Sequence, residues 1–230
     1  MKSLVDQGIV LSRTNFQEAD RILTVITANH GKIRLMAKGV RKVKSKLAGG
    51  IELFSINDLT FIEGRGEIDT LISSRLKQNF GHIISDINRT MFGYELLKRL
   101  NRATEDNADI EYFELLAKAL NGLNDLLLEQ ERIELWFNCQ LLKLAGHSPN
   151  LKNDTNNQPL KSNQTYQFDI EDMTFTTNPD GRYNANQIKL LRLAILSEKP
   201  ERLGQIKKIG YNLTDCLQLS KLMVGQFIRS

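Results

Sequence analysis

The hydrophobic period of this 230-residue chain changes once, near Phe80, and that change limits its fold more than any other feature. Before it, short apolar runs stand at Gly8–Leu11, Arg21–Thr27, Lys32–Lys38, Ile51–Ile62 and Ile68–Arg75. Turn residues separate them at Asn29-His30-Gly31, Gly49-Gly50 and Gly64-Arg65-Gly66. Five short strands in so small a segment suit a barrel, because closing the sheet removes its unpaired edges. A five-stranded Greek-key barrel also offers a face for nucleic acid.

After Phe80 the apolar residues recur at steps of three and four. Ile83, Ile84, Ile87, Met91, Tyr94, Leu97 and Leu100 form one such series, Ile110, Phe113, Leu116, Leu120, Leu123 and Leu127 a second, and Ile133, Trp136, Phe137, Leu141 and Leu144 a third. Each predicts a core-forming amphipathic helix. Prolines and asparagines from Gly146 to Asn163 break the period, and Thr165–Phe168 and Met173–Thr176 then alternate like a hairpin. Helical spacing returns at Asn186–Leu196 and Leu213–Ile228, and no repeat of 20–50 residues is present. The expected class is α+β: a five-stranded barrel over residues 1–79, then a helical domain over 80–230 with an inserted hairpin region at about 148–184.

Charge is unevenly spread over this frame. Between Asp20 and Glu52 there is no acidic residue, but Arg21, Lys32, Arg34, Lys38, Arg41, Lys42, Lys44 and Lys46 all fall there. Residues 1–50 carry ten Lys/Arg against Asp6, Glu18 and Asp20, a balance of +7, which leaves −3 for the remainder of a chain whose net charge is +4. A basic head on a faintly acidic body is a footprint of nucleic-acid binding confined to one domain. In an extended strand Lys32, Arg34, Met36 and Lys38 share one face, while Ile33, Leu35 and Ala37 share the other. The segment Lys38–Gly50 then reads as a cationic loop in which Gly39 permits a sharp turn and Ser45 can donate to a phosphate. No Phe, Tyr or Trp occurs between Asp20 and Glu52; Phe16 and Phe54 flank the stretch, so base stacking should contribute little. If roughly five cations engage single strands at about 0.7 counterions each, the log–log salt slope is near −3.5.

Catalytic chemistry finds little footing, and the chain is expected not to be an enzyme. His30, His82 and His147 show no metal-ligand spacing, and no G-x-S-x-G or phosphate loop occurs. Glu67 with Asp69, and Glu171 with Asp172, read as turn or exposed-strand residues. Cys139 and Cys216 sit in apolar helical surroundings as small core residues. The N-terminus is too polar for a signal peptide and no apolar run of membrane-spanning length occurs, so a cytoplasmic location is the default expectation.

Four fragments, Glu18-Ala19-Asp20-Arg21-Ile22-Leu23, His30-Gly31-Lys32, Lys38-Gly39-Val40-Arg41 and Ser45-Lys46-Leu47-Ala48-Gly49-Gly50-Ile51-Glu52-Leu53-Phe54, resemble in order and spacing the N-terminal domain of the RecO family. Leu141–Leu151 is similar to that family's helix end and proline turn. The resemblance implies an OB-fold followed by a helical domain, and a recombination mediator that binds single- and double-stranded DNA and anneals complementary strands. It also implies work with RecR and with the C-terminal tail of the single-stranded-DNA-binding protein SSB to load RecA, in association with the nucleoid. Many members carry two Cys-x-x-Cys pairs that hold zinc in the hairpin. In this chain the first pair falls near Asp154 and Asn157, and no cysteine lies between Cys139 and Cys216, so no cofactor is expected. The hairpin of Tyr166, Phe168, Met173 and Phe175 is expected to hold by cross-strand packing instead.

The DNA-binding residues expected are Lys32, Arg34, Lys38, Arg41, Lys42, Lys44 and Lys46, with Arg21 joining them unless Asp20 or Glu18 pairs with it. An SSB tail, acidic and hydrophobic, needs an apolar groove with a cation at its rim; Lys207, Lys208, Lys221 and Arg229 are candidates. Neither a membrane nor a small-molecule substrate is expected. The rival readings are an RNA-binding OB-fold protein, since phosphate contacts do not distinguish sugars, and a basic scaffold for an acidic protein.

Overall fold

The computed structural model describes residues 3–45, 47–64, 66–104, 109–206 and 210–228. Five strands, β1 (Ser3–Phe16), β2 (Asp20–Thr27), β3 (Lys32–Ala37), β4 (Ser55–Ile62) and β5 (Ile68–Asn79), close into a barrel in the order β1-β2-β3-β5-β4. All neighbours are antiparallel except β3 and β5. This is the five-stranded OB-type barrel that the first 80 residues predicted. Its core gathers Val10, Leu23, Val25, Leu35, Leu59, Phe61 and Leu71. The alternation in β3 holds, with Leu35 and Ala37 buried and Arg34 exposed.

Strand ends differ from the sequence expectation for identifiable reasons. β1 begins at Ser3, well before Gly8, because Ser3–Gly8 pairs with β4 and Gly8–Phe16 with β2; a bulge between Val10 and Ser12 lies within the β2 pairing. The polar Asp6 and Gln7 hide that first half from a hydrophobic count. β4 begins at Ser55, because the stretch from Ile51 that reads as strand follows a short 3-10 turn at Ala48–Gly50 and runs into the left-handed Phe54 (φ +58°).

The helices are α1 (Gly81–Ser85), α2 (Ile87–Ala103), α3 (Ile110–Asn124), α4 (Gln130–Leu144), α5 (Ala185–Leu196), α6 (Glu201–Gly204) and α7 (Gly210–Phe227). The first apolar series is therefore two helices. Asp86 interrupts it in extended conformation, and its carboxylate accepts the Arg89 N–H as the N-cap of α2 (3.0 Å). Part of that series also faces solvent: Ile84, Ile87, Met91 and Tyr94 are exposed, whereas Leu96, Leu97 and Leu100 are buried. α2 is apolar on two sides, and spacing alone does not say which one is covered.

Two compact units result, Met1–Asp125 and Leu126–Ser230. The barrel ends at Asn79, but α2 packs on β1 and α3 on β1 and β2, so the first three helices belong with it. Phe54 joins the two layers: it is buried, its ring lies against Gly93 and edge-on to Tyr94 (5.2 Å), and its carbonyl accepts the Phe80 N–H (3.1 Å). The second unit holds α4 to α7 and a hairpin of β6 (Tyr166–Asp169) and β7 (Thr174–Thr177). Trp136 and Phe137 are core residues there, the indole N–H donating to the Ser197 carbonyl (2.9 Å). Cys139 and Cys216 are buried too, and burial pushes both thiols up, that of Cys139 to about 12.

One buried carboxylate fixes the β2–β3 turn. Asp6 accepts the Gln7 N–H (2.8 Å), the Asn29 N–H (2.9 Å) and the Asn29 side-chain amide (2.8 Å), and its Oδ2 lies 2.6 Å from His30 Nδ1. Burial pushes the carboxyl up, but the bonds from His30, Asn29 and Gln7 outweigh it, and Asp6 lies below the usual aspartate value. A lowered native value stabilises the fold above the unfolded-state value and loses that effect as pH falls through the native one. Asp6→Ala should therefore cost about 2–3 kcal/mol at neutral pH, with full effect above about pH 4 and a shrinking difference from wild type in acid. Urea unfolding at a series of pH values measures it; a difference that grows in acid contradicts the assignment.

Candidate nucleic-acid interface

The loop after β3 is built from two consecutive hydrogen-bonded turns. The Lys42 N–H donates to the Gly39 carbonyl (3.1 Å) and the Ser45 N–H to the Lys42 carbonyl (3.0 Å). Gly39 opens the first turn at φ +64°, a conformation that side chains with a Cβ resist. Val40 and Ile51 anchor the loop in the barrel core. Between these anchors the side chains of Arg41, Lys42 and Lys44 are exposed, as is Lys38 just before them.

The loop is also tied to the β1–β2 turn. Asp20, the first residue of β2, accepts the Gly39 N–H on Oδ1 (2.7 Å). The Arg41 N–H donates to the Ala19 carbonyl (2.9 Å), and the Arg41 guanidinium reaches the Gln17 carbonyl (3.4 Å). Two of the family-like sequence fragments, Glu18–Leu23 and Lys38–Arg41, are thus one physical unit: an acceptor on the first and a donor on the second. Phe16, at the end of β1, is half-exposed beside this junction. Phe54, which flanks the basic stretch in sequence, turns into the core against α2 and takes no part in this surface.

The expected cations divide. Lys38, Arg41, Lys42 and Lys44 stand exposed on the loop, while Arg34, on the outer face of β3, is exposed and forms a 3.3 Å ion pair with the exposed Glu67. An exposed pair of this kind is worth at most about 1 kcal/mol, so a phosphate can displace it. Arg21 donates to Asn15 Oδ1 (3.1 Å), its partner being neither Asp20 nor Glu18. Lys46 lies outside the described residues. Lys32 has a different place: its ammonium donates to the carbonyls of Asn101 (3.0 Å) and Thr104 at the C-terminal end of α2. A cation there satisfies orphan carbonyls and complements the helix dipole, so this residue of the basic strand binds the fold together.

The other candidate chemistries resolve into structure. His82 Nδ1 meets the Asn124 carbonyl (2.9 Å), and His147 stacks on Phe227. Asp69 accepts the Gly64 N–H (2.9 Å), and the amides of Glu171 and Asp172 close a turn on Asp169. At the position where the family resemblance implies zinc, Asp154 accepts the N–H groups of Asn156 (2.9 Å) and Gln158 (2.8 Å) on one oxygen and the Thr177 hydroxyl (3.2 Å) on the other. Three hydrogen bonds thus tie this carboxylate into the turn and to Thr177. Beside it Phe175 packs edge-on against Tyr166, Phe168 and Tyr183. No group of three or more His, Cys, Asp or Glu gathers among the described residues.

In the second unit the end of α5 and the start of α6 border an open hollow of about 590 Å³, lined by Leu193, Leu196, Ser197, Glu198, Lys199 and Arg202. Leu196 is largely exposed, and the Ser197 hydroxyl, though buried, has no hydrogen-bond partner among the described residues. Of the rim cations expected from sequence, Lys221 pairs with Glu134 (3.1 Å), and Lys207, Lys208 and Arg229 lie outside the described residues.

Two family models match the chain: Recombination protein O N terminal over residues 1–80, and Recombination protein O C terminal over residues 84–223. The chain belongs to the RecO family. It is 32% identical over 151 residues to a DNA repair protein RecO from Dehalococcoides mccartyi, which covers 65% of this chain and 59% of that protein. With the DNA repair protein RecO of Bifidobacterium longum subsp. infantis it shares 34% over 149 residues, 64% of this chain and 62% of the relative. A Listeria monocytogenes protein of the same name is 29% identical over 215 residues, 87% of this chain and 80% of the relative. The match to the first two relatives thus spans about three fifths of their length. Among the described residues, no helix is long and apolar enough to cross a membrane.

The two kinds of cation separate experimentally. Lys42→Ala with Lys44→Ala should reduce the log–log salt slope of single-strand binding by about 1.4 and leave thermal unfolding unchanged. Lys32→Ala should lower stability by about 1–2 kcal/mol and leave the slope unchanged. A Lys32→Ala protein with a smaller slope and wild-type melting contradicts this division.

Proposed function

We propose that this RecO-family chain is a non-enzymatic recombination mediator that holds DNA by its phosphates, anneals complementary strands, and with RecR helps load RecA onto SSB-coated DNA. The observation that carries this reading is the braced cationic loop with Arg34 beside it, a surface whose sequence from Arg21 to Ile51 contains no Phe, Tyr or Trp. Cations that grip the backbone leave base edges unoccupied, which pairing two strands requires. Its place would be the bacterial cytoplasm, at the nucleoid when active.

For the SSB tail, an acidic peptide with apolar side chains, the hollow at α5 and α6 has the right chemistry. Leu193 and Leu196 supply apolar surface, while Lys199 and Arg202 supply cations at its edge. This hollow replaces the groups near the last helix as the favoured rim.

An annealing assay with two complementary oligonucleotides coated by SSB tests the proposal. The expected result is accelerated duplex formation, with a salt slope near −3.5 for single-strand binding from about five engaged cations. Leu196→Asp should abolish acceleration on SSB-coated strands and spare it on naked ones. Failure of the wild type to anneal, with or without RecR, overturns the mediator reading.

A further inference from the structure

Val40, Val43 and Leu47, three apolar side chains of the basic loop, have three fates. Val40, in the first turn, is buried in the barrel core, and Leu47 packs partly against the same core. Val43 lies in the second turn and is fully exposed, at 103% of its reference area. The turn closed by the Ser45 N–H on the Lys42 carbonyl makes Val43 its first central residue, so the isopropyl group stands at the apex between Lys42 and Lys44.

Single exposed valines are common on protein surfaces and by themselves need no account. This one differs in its setting. Its neighbours Arg41, Lys42 and Lys44 are all exposed cations, and the loop that presents it is bonded to Asp20 and Ala19 and anchored by Val40. A phosphate backbone drawn onto those cations brings a sugar and base within reach of the apex, and an unstacked base offers apolar surface that gains by leaving water. Two methyl groups form no hydrogen bond with a base edge, so such a contact is blind to sequence. They are also too small to fix the base by stacking, which suits strands that must afterwards pair.

We propose that Val43 is the base-contacting residue of this interface, packing against one unstacked base of a bound single strand while Lys42 and Lys44 hold the flanking phosphates. This rests on the DNA-binding reading and adds a contact that is independent of charge. Binding of the full chain to a labelled oligothymidylate and to an abasic strand of equal length, each over a series of salt concentrations, tests it. Val43→Ser should weaken binding to the base-bearing strand by about five- to tenfold at every salt concentration, with an unchanged log–log slope. On the abasic strand it should match wild type, and Val43→Leu should bind the base-bearing strand at least as tightly as wild type. Because the side chain is fully exposed, melting should not move in either variant. Equal binding by wild type and Val43→Ser on the base-bearing strand overturns the inference. So does an equal loss on the abasic strand. If the wild type binds neither strand, the DNA-binding reading falls first, and the inference with it.

Discussion

Asp20 accepts the N–H of Gly39, and through that bond the cationic loop proposed to meet nucleic acid acquires a shape. A stretch with so many like charges repels itself, and left to electrostatics alone it would spread into solvent. A charge-assisted hydrogen bond to a backbone amide is worth about 1.5–3 kcal/mol, enough to offset much of that tendency locally. The left-handed Gly39, the Arg41 amide on Ala19, and Val40 in the core all act in the same sense. A loop held this way has less ordering entropy to lose when a strand binds.

The same cationic chemistry serves two ends, and geometry decides which. Lys32 meets the last carbonyls of α2, Arg89 those of Leu123 and Asp125 at the end of α3, and Arg132 those of Leu203 in α6 and Ile206 beyond it. Each relieves carbonyls that a helix end leaves without partners. Lys38, Arg41, Lys42 and Lys44 stand where the described structure offers solvent, and these are the side chains a polyanion can neutralise. Counting basic residues in the sequence mixes the two kinds.

Much of the frame was legible before any coordinates. The alternation Leu35, Ala37 against Arg34, Lys38 located β3 and its faces, and the glycines at 31 and 39 marked turns that do take positive φ. The illegible parts have physical causes. The first half of β1 is polar because Asp6 turns inward to satisfy a turn, which looks like a non-strand residue in a hydrophobic count. The break at Asp86 falls within an unbroken apolar spacing. Lys32 lies in register with Arg34, yet its partner is seventy residues away, a separation no local pattern encodes. Adjacency in sequence makes Asp20 a neighbour for Arg21, whereas its carboxylate accepts the Gly39 N–H just beyond the end of β3. The exposed Val43 leaves no mark in the sequence to separate it from the buried Val40.

Backbone amide hydrogen exchange at Gly39, compared in wild type and Asp20→Ala, tests the central claim most directly. If Asp20 fixes the loop, the Gly39 N–H is protected in the free wild type and exchanges freely in the variant, while the barrel amides of Val25 and Leu35 keep their protection in both. Equal exchange at Gly39 in the two proteins would contradict the claim that this carboxylate holds the cationic loop in place.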